Sequence, residues 1–295
     1  MNMNKSYLAV LLSAALFASC ENGEGEQKKQ TSQLSITANV DQVTRASKTS
    51  FVAGDEIGVF LLNSDGNSYS SSGSTNNKAT LSSSWTMQEE VTLTDDLGTV
   101  YAYSPYSSQV TDISQISINS SSQTDYLYAR SVTVDAVNPI ATLQMKHALS
   151  LVKFAIKKDG YIGDGHITEI NLKGIGLTGT MDAKTGSVTT LTTGNEKYEG
   201  IFYLDESTPL VIGIIAFPQS VSETAATVVI DGVNYSYKLV PSEWEEGKET
   251  TYTLKIDQAT QSLITIGSAT IDSWGTGGSY EGDLVSGGID IGTEI

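Results

Sequence analysis

The stretch Thr227-Val228-Val229-Ile230-Asp231-Gly232-Val233-Asn234-Tyr235-Ser236-Tyr237 sets β-favouring residues on either side of Asp-Gly. Glycine tolerates the positive φ that a two-residue type I′ turn demands, so the segment predicts a tight hairpin. The same pattern recurs along the chain. In residues 34–41, Leu34, Ile36, Ala38 and Val40 share one face and polar residues the other, which predicts a half-buried strand. After a turn at Gly54-Asp55, Ile57-Gly58-Val59-Phe60-Leu61-Leu62 is nearly continuously apolar, as a central strand would be. Residues 210–217 read as a fully buried strand stopped by Pro218, and 99–106 as a strand closed by Pro105. Further strands are expected at 125–129, 131–137, 167–172, 252–256 and 263–274, with a hairpin at 181–188. Val152, Phe154 and Ile156 alternate with Lys153, Ala155 and Lys157, which predicts one buried face. The Ser/Gly/Asn-rich run 63–78 has almost nothing to bury and reads as a surface loop. Helical periodicity is nowhere convincing. Many short strands with regular turns predict β-sandwiches, and a break at Asn138-Pro139 suggests two of them.

Composition narrows the function. A length of 295 residues fits about two domains, and an apolar fraction of 39% can support real cores. The net charge of −17 and a single pair of arginines, Arg45 and Arg130, argue against nucleic acid as a partner. Cys20 is the one cysteine, so no intramolecular disulfide or thiolate metal cluster can form.

The amino terminus reads as an address. Lys5 precedes an apolar run at 8–18, too short to span a bilayer, which ends in Leu16-Phe17-Ala18-Ser19-Cys20. Small residues before the sole cysteine resemble a lipobox, in which that cysteine is acylated. Residues 1–19 are thus expected to be a lipoprotein signal peptide, and the polar stretch 20–31 a solvated tether.

No catalytic or metal constellation emerges. His147 and His166 lie 19 positions apart with no acidic or cysteine partner at ligand spacing, so structural roles are expected. Asp65-Gly66-Asn67 and the Asp159–Gly165 region lack the spaced carboxylates of a calcium loop. Adjacent Glu245-Glu246 and Asp95-Asp96 read as solvated turns, and no nucleophile elbow, P-loop or dinucleotide fingerprint occurs. Tyr101 and Tyr103 fall on one face and are expected in a core or cross-strand stack. No enzyme, cofactor or metal is expected.

Several segments together resemble the fimbrillin family of Bacteroidales, the lipoprotein pilins of type V pili. They are the lipobox at Cys20, Val43-Thr44-Arg45-Ala46, Gly54-Asp55-Glu56-Ile57-Gly58-Val59-Phe60 and Tyr101-Ala102-Tyr103-Ser104-Pro105-Tyr106. Asp125-Tyr126-Leu127-Tyr128-Ala129, His147-Ala148-Leu149-Ser150, Ala216-Phe217-Pro218-Gln219 and Ile271-Asp272-Ser273-Trp274 follow in order. The resemblance implies an all-β fold of two tandem transthyretin-like β-sandwich domains, here drawn at 32–139 and 140–280. It implies a lipid anchor at Cys20 in the cell outer membrane, and cleavage by an arginine-specific protease between Arg45 and Ala46. Subunits would then polymerise by strand exchange into an extracellular fimbrium.

The residues make that mechanism physically sensible. A cut after Arg45 would release the strand carrying Leu34, Ile36, Ala38 and Val40, exposing an apolar groove that another chain can fill. In the tail, 281–295, Ile289, Ile291 and Ile295 share one face and form a candidate donor strand. The expected partners are other pilin subunits, the protease, and a host or bacterial surface ligand. The alternative is a surface lipoprotein that never polymerises and serves as a fimbrial anchor or as an adhesin for glycan or host protein.

Overall fold

The computed structural model describes residues 29–40, 50–222 and 224–274, and among these it is built almost entirely of strands. In chain order the first ten are β1 (Ser32–Gln33), β2 (Ser35–Val40), β3 (Glu56–Asn63), β4 (Asn77–Leu81), β5 (Trp85–Met87), β6 (Thr92–Leu93), β7 (Gly98–Ser104), β8 (Ile116–Asn119), β9 (Leu127–Val134) and β10 (Ile140–His147). Seven of them form one sheet in the order β2-β10-β9-β7-β3-β4-β5. Its two end strands approach each other, because the Trp85 indole N–H of β5 donates to the Ala38 carbonyl of β2 at 3.2 Å. The sheet therefore curls around its own core.

β3 shows why its apolar run is unbroken. Ile57, Val59 and Leu61 point into that first core, while Phe60 and Leu62 point the other way into a second apolar layer. Gly58 sits between them for a steric reason. It is the register partner of Tyr103 on β7, and a Cβ there would lie 2.1 Å from the Tyr103 ring. Tyr103 is fully buried, with its hydroxyl donating to Asn76 Oδ1 at 2.8 Å, so it cannot swing aside. Gly58→Ala should cost about 1–3 kcal/mol by overpacking, read as a fall in the urea midpoint with an unchanged slope.

The remaining strands are β11 (Ser150–Lys157), β12 (His166–Met181), β13 (Val188–Tyr203), β14 (Leu210–Ala216), β15 (Gln219–Val221), β16 (Ala225–Ile230), β17 (Val233–Lys238), β18 (Ser242–Trp244), β19 (Lys248–Asp257), β20 (Ser262–Thr265) and β21 (Thr270–Ser273). The second large sheet runs β13-β12-β16-β17-β20-β19-β11-β14, with β21 added on β19 and β8 on β12. It wraps a core that includes Phe154, Ile212, Val228, Trp244 and Tyr252. Asp231 and Gly232 join β16 to β17 with φ of 50° and 77°, the double positive φ of a type I′ turn.

Several details differ from the sequence reading. The turn at Asn138-Pro139 lies within the first sheet, since β10 pairs with β2 and β9; after β10 the chain passes to the second sheet between His147 and Ser150. β8 is part of the second sheet although it precedes that crossing. The segments 125–129 and 131–137 merge into the single strand β9. Within the 63–78 loop, Tyr69 is buried, with its hydroxyl donating to the Asp96 carbonyl at 2.9 Å. Lys153, expected on an exposed face, is 1% exposed and bonds Glu249 at 2.8 Å. A third apolar cluster covers that side of β11, combining Phe60, Tyr103 and Tyr128 with Leu151, Phe217 and Trp274 and so joining the two sheets.

Candidate functional site: the amino-terminal strand and its groove

β2 occupies one end of the first sheet. It pairs in parallel with β10, from Ser35↔Ile140 to Val40↔Met145, and among the described residues with no other strand. The period-two pattern of its sequence is realised as alternating burial. Leu34, Ile36, Ala38 and Val40 are 8%, 4%, 6% and 3% exposed, and they pack in the first core with Val59, Val100, Leu127 and Leu143. Burying a side chain of Leu, Ile or Val size is worth roughly 1.5–3 kcal/mol, so these residues hold the strand firmly.

The other edge of β2 is held far less completely. Across it stand Trp85 and Met87 of β5, and the Trp85 bond to Ala38 is the one hydrogen bond seen there among the described residues. A cleft of about 360 Å³ lies on one side of Trp85, lined by Ile36, Ala38, Val40 and Phe51. A second, of about 260 Å³, lies on the other side along Leu34 and Met87. Phe51 packs edge-on against Trp85, with ring centroids 5.0 Å apart. The strand therefore lies between one full ladder and one wide seam.

Just before β2 the chain changes partner. β1 pairs with β6, the Leu34 N–H donates to the Val91 carbonyl, and the Ser35 N–H donates to the Pro139 carbonyl. The Ser32 hydroxyl also donates to the Ala136 carbonyl at 2.7 Å. These contacts fix the register and leave the four apolar side chains aimed inward.

The groove-forming residues Trp85, Phe51 and the β10 run were not singled out by the sequence. Trp85 and the β10 run are remote from β2 in the chain. Of the residues the sequence did single out, Leu34, Ile36, Ala38 and Val40 come together in this groove. Cys20, Arg45, Ala46, Ile289, Ile291 and Ile295 lie outside the described residues.

Both histidines are held by neighbours. His147 is buried, with Nδ1 2.9 Å from Asp125 Oδ1 and its ring stacked 4.3 Å from Trp274. His166 stacks on Tyr203 at 4.9 Å. Among the described residues, no group of three or more His, Cys, Asp or Glu side chains is placed to hold a metal ion.

Comparison with known proteins agrees with the architecture. No curated protein matches the chain significantly. A solved structure of a candidate cell adhesion protein from Bacteroides uniformis is 24% identical, with a TM-score of 0.62 over 82% of this chain and 99% of that one. Another, from Bacteroides ovatus, is 20% identical with a TM-score of 0.64 over 82% and 96%. A fimbrial protein from Bacteroides vulgatus is 13% identical with a TM-score of 0.53 over 82% and 99%. At these identities the likeness establishes the fold. The family model described as fimbrillin-like matches residues 44–274, most of the chain, and the protein therefore belongs to the fimbrillin-like family of structural and adhesive proteins, not enzymes.

Proposed function

We propose that this chain is a fimbrial subunit in which β2 is a removable occupant of its groove, exchanged for a strand of another subunit during assembly. The observation that carries this reading is the one-edged seating of β2. Four inward side chains fill a core position that any strand of the same pattern could fill, while the second edge faces a seam. Two further features support it. Arg45, the expected protease site, follows Val40 by five residues, and the family match, 44–274, begins beside that site and excludes β2.

The tail supplies a matching donor pattern. Aligned in parallel on 34–40, residues 289–295 place Ile289, Ile291 and Ile295 at the positions of Leu34, Ile36 and Val40, with Thr293 at that of Ala38. Each position receives a side chain as large as the one it replaces, or nearly so. Acylation of Cys20 would carry the precursor to the outer membrane, and the cut after Arg45 would free it for assembly into the fimbrium.

Protein spanning residues 21–295, treated with an arginine-specific protease, should show a new amino terminus at Ala46 by mass spectrometry and a ladder of multimers on a native gel. Ile291→Asp should permit the same cut but abolish the ladder, because a charge placed in the groove lacks a partner. A cut product that stays monomeric would favour instead the non-polymerising anchor or adhesin.

A further inference from the structure

The groove has a mouth at the end where β2 begins. There the entering chain lies on β6 through β1, residues 94–97 link β6 to β7, and residues 135–139 link β9 to β10. Around this mouth stand Val137, Ile140 and Leu97, which are 65%, 61% and 57% exposed. Exposed apolar side chains are ordinary when scattered singly, but a group of them at one opening marks a surface that something covers.

The segments that carry them are fixed. The Asp135 carboxylate accepts the Val137 and Asn138 N–H groups at 2.8 and 2.6 Å. The Ala136 N–H donates to the Thr94 carbonyl at 2.8 Å and ties the two turns together. The Tyr69 hydroxyl accepts the Thr94 N–H and donates to the Asp96 carbonyl, which holds the turn before Leu97. Ile140 is the register partner of Ser35, and it points outward while its neighbour Ala141 is buried. A surface ordered in advance loses little freedom when it is covered.

The segment that cleavage would release lies across this same mouth. The Ser32 hydroxyl and the Gln30 amide both donate to the Ala136 carbonyl, and β1 pairs with β6. If β2 departs after a cut at Arg45, β1 and these contacts leave with it. The mouth is therefore part-covered in the uncut chain and uncovered in the cut one.

Resting on the strand-exchange reading, we infer that this mouth docks the body of the donating subunit, a second copy of this chain. In the parallel alignment Ile289 takes the position of Leu34, so the donor's chain leaves the groove here. Residues 275–288, between the donor's Trp274 and that strand, can span at most about 50 Å. The donor's body is thus held near this end of the acceptor, where it covers Leu97, Val137 and Ile140. Three side chains bury far less than the roughly 1,000 Å² of a stable interface, so the contact works only while the tail tethers the two copies. It joins unlike ends of the two copies, the kind of contact that builds open chains.

The test combines Leu97→Ser, Val137→Ser and Ile140→Thr in protein spanning residues 21–295. All three side chains are exposed, so the urea midpoint of the uncut variant should match that of the parent. After cleavage at Arg45, a labelled peptide of residues 283–295 should bind both proteins within about twofold, because the groove is untouched. The multimer ladder of the variant should form at least about tenfold more slowly at equal protein concentration. A folded variant that polymerises at the parental rate would overturn the inference and leave strand exchange standing, whether or not it has lost binding to lipid vesicles. Peptide binding weakened along with the ladder would place these residues in the groove and overturn it as well. A parent that takes up the peptide in neither form and gives no ladder would overturn strand exchange and this inference together.

Discussion

Replacing Lys153 by methionine while Glu249 remains should destabilise the protein by about 3–5 kcal/mol, and Glu249→Leu alone should do comparable damage. Both side chains are 1–2% exposed and their charged ends are 2.8 Å apart, on the adjacent parallel strands β11 and β19. Taking either charge out of water is costly, and in the native state each ion offsets the cost of the other. Removing one leaves its partner buried without that compensation. The pair Lys153→Met with Glu249→Leu should instead recover most of the loss, because an apolar pair of similar volume suits the cluster of Leu151, Ile215 and Trp274 on that side of the sheet. Urea unfolding of the two single variants and the double variant measures this as a coupling energy. A double variant as unstable as the sum of the singles would contradict it.

A protein beginning at Ala46 and ending at Trp274, lacking both the native strand and the tail, should lose the ordered state of its first sheet while the second survives. Burial of Leu34, Ile36 and Val40 contributes about 5–9 kcal/mol, comparable to the whole stability of a small domain. Their absence leaves the inner faces of Val59, Leu127 and Leu143 open to water and the β10 edge unpaired. Amide exchange should therefore be fast in β9 and β10 and slow in β12 and β16, with dye binding to the exposed core. A synthetic peptide of residues 32–41 should restore protection to β10 and remove the dye signal. Protection of β10 without any peptide would show that the groove closes on itself.

Much of this was legible locally. Alternation in residues 34–41 identified both the strand and its inward face, and Asp231-Gly232 identified its hairpin, because each signal lies within a few residues. What escaped depended on distant partners. Lys153 looked like the polar side of an alternating strand, but it is buried against a glutamate 96 residues away. Pro139 looked like a boundary, but the strand after it completes the first sheet by pairing with β2, more than a hundred residues earlier in sequence. Trp85 closes the seam over β2 from 47 residues away.

The central claim is that β2 leaves its groove as a unit and that its departure drives assembly. Thr37 and Thr142 are exposed register partners across β2 and β10, at a spacing a disulfide can bridge. In a protein spanning residues 21–295, which lacks Cys20, the Thr37→Cys and Thr142→Cys pair would lock the strand in place. After cleavage at Arg45, native electrophoresis should show only monomer while the disulfide is intact, and a ladder of multimers once reductant is added. A ladder from the oxidised, cut protein, or none from the reduced, cut protein, would contradict strand release as the trigger.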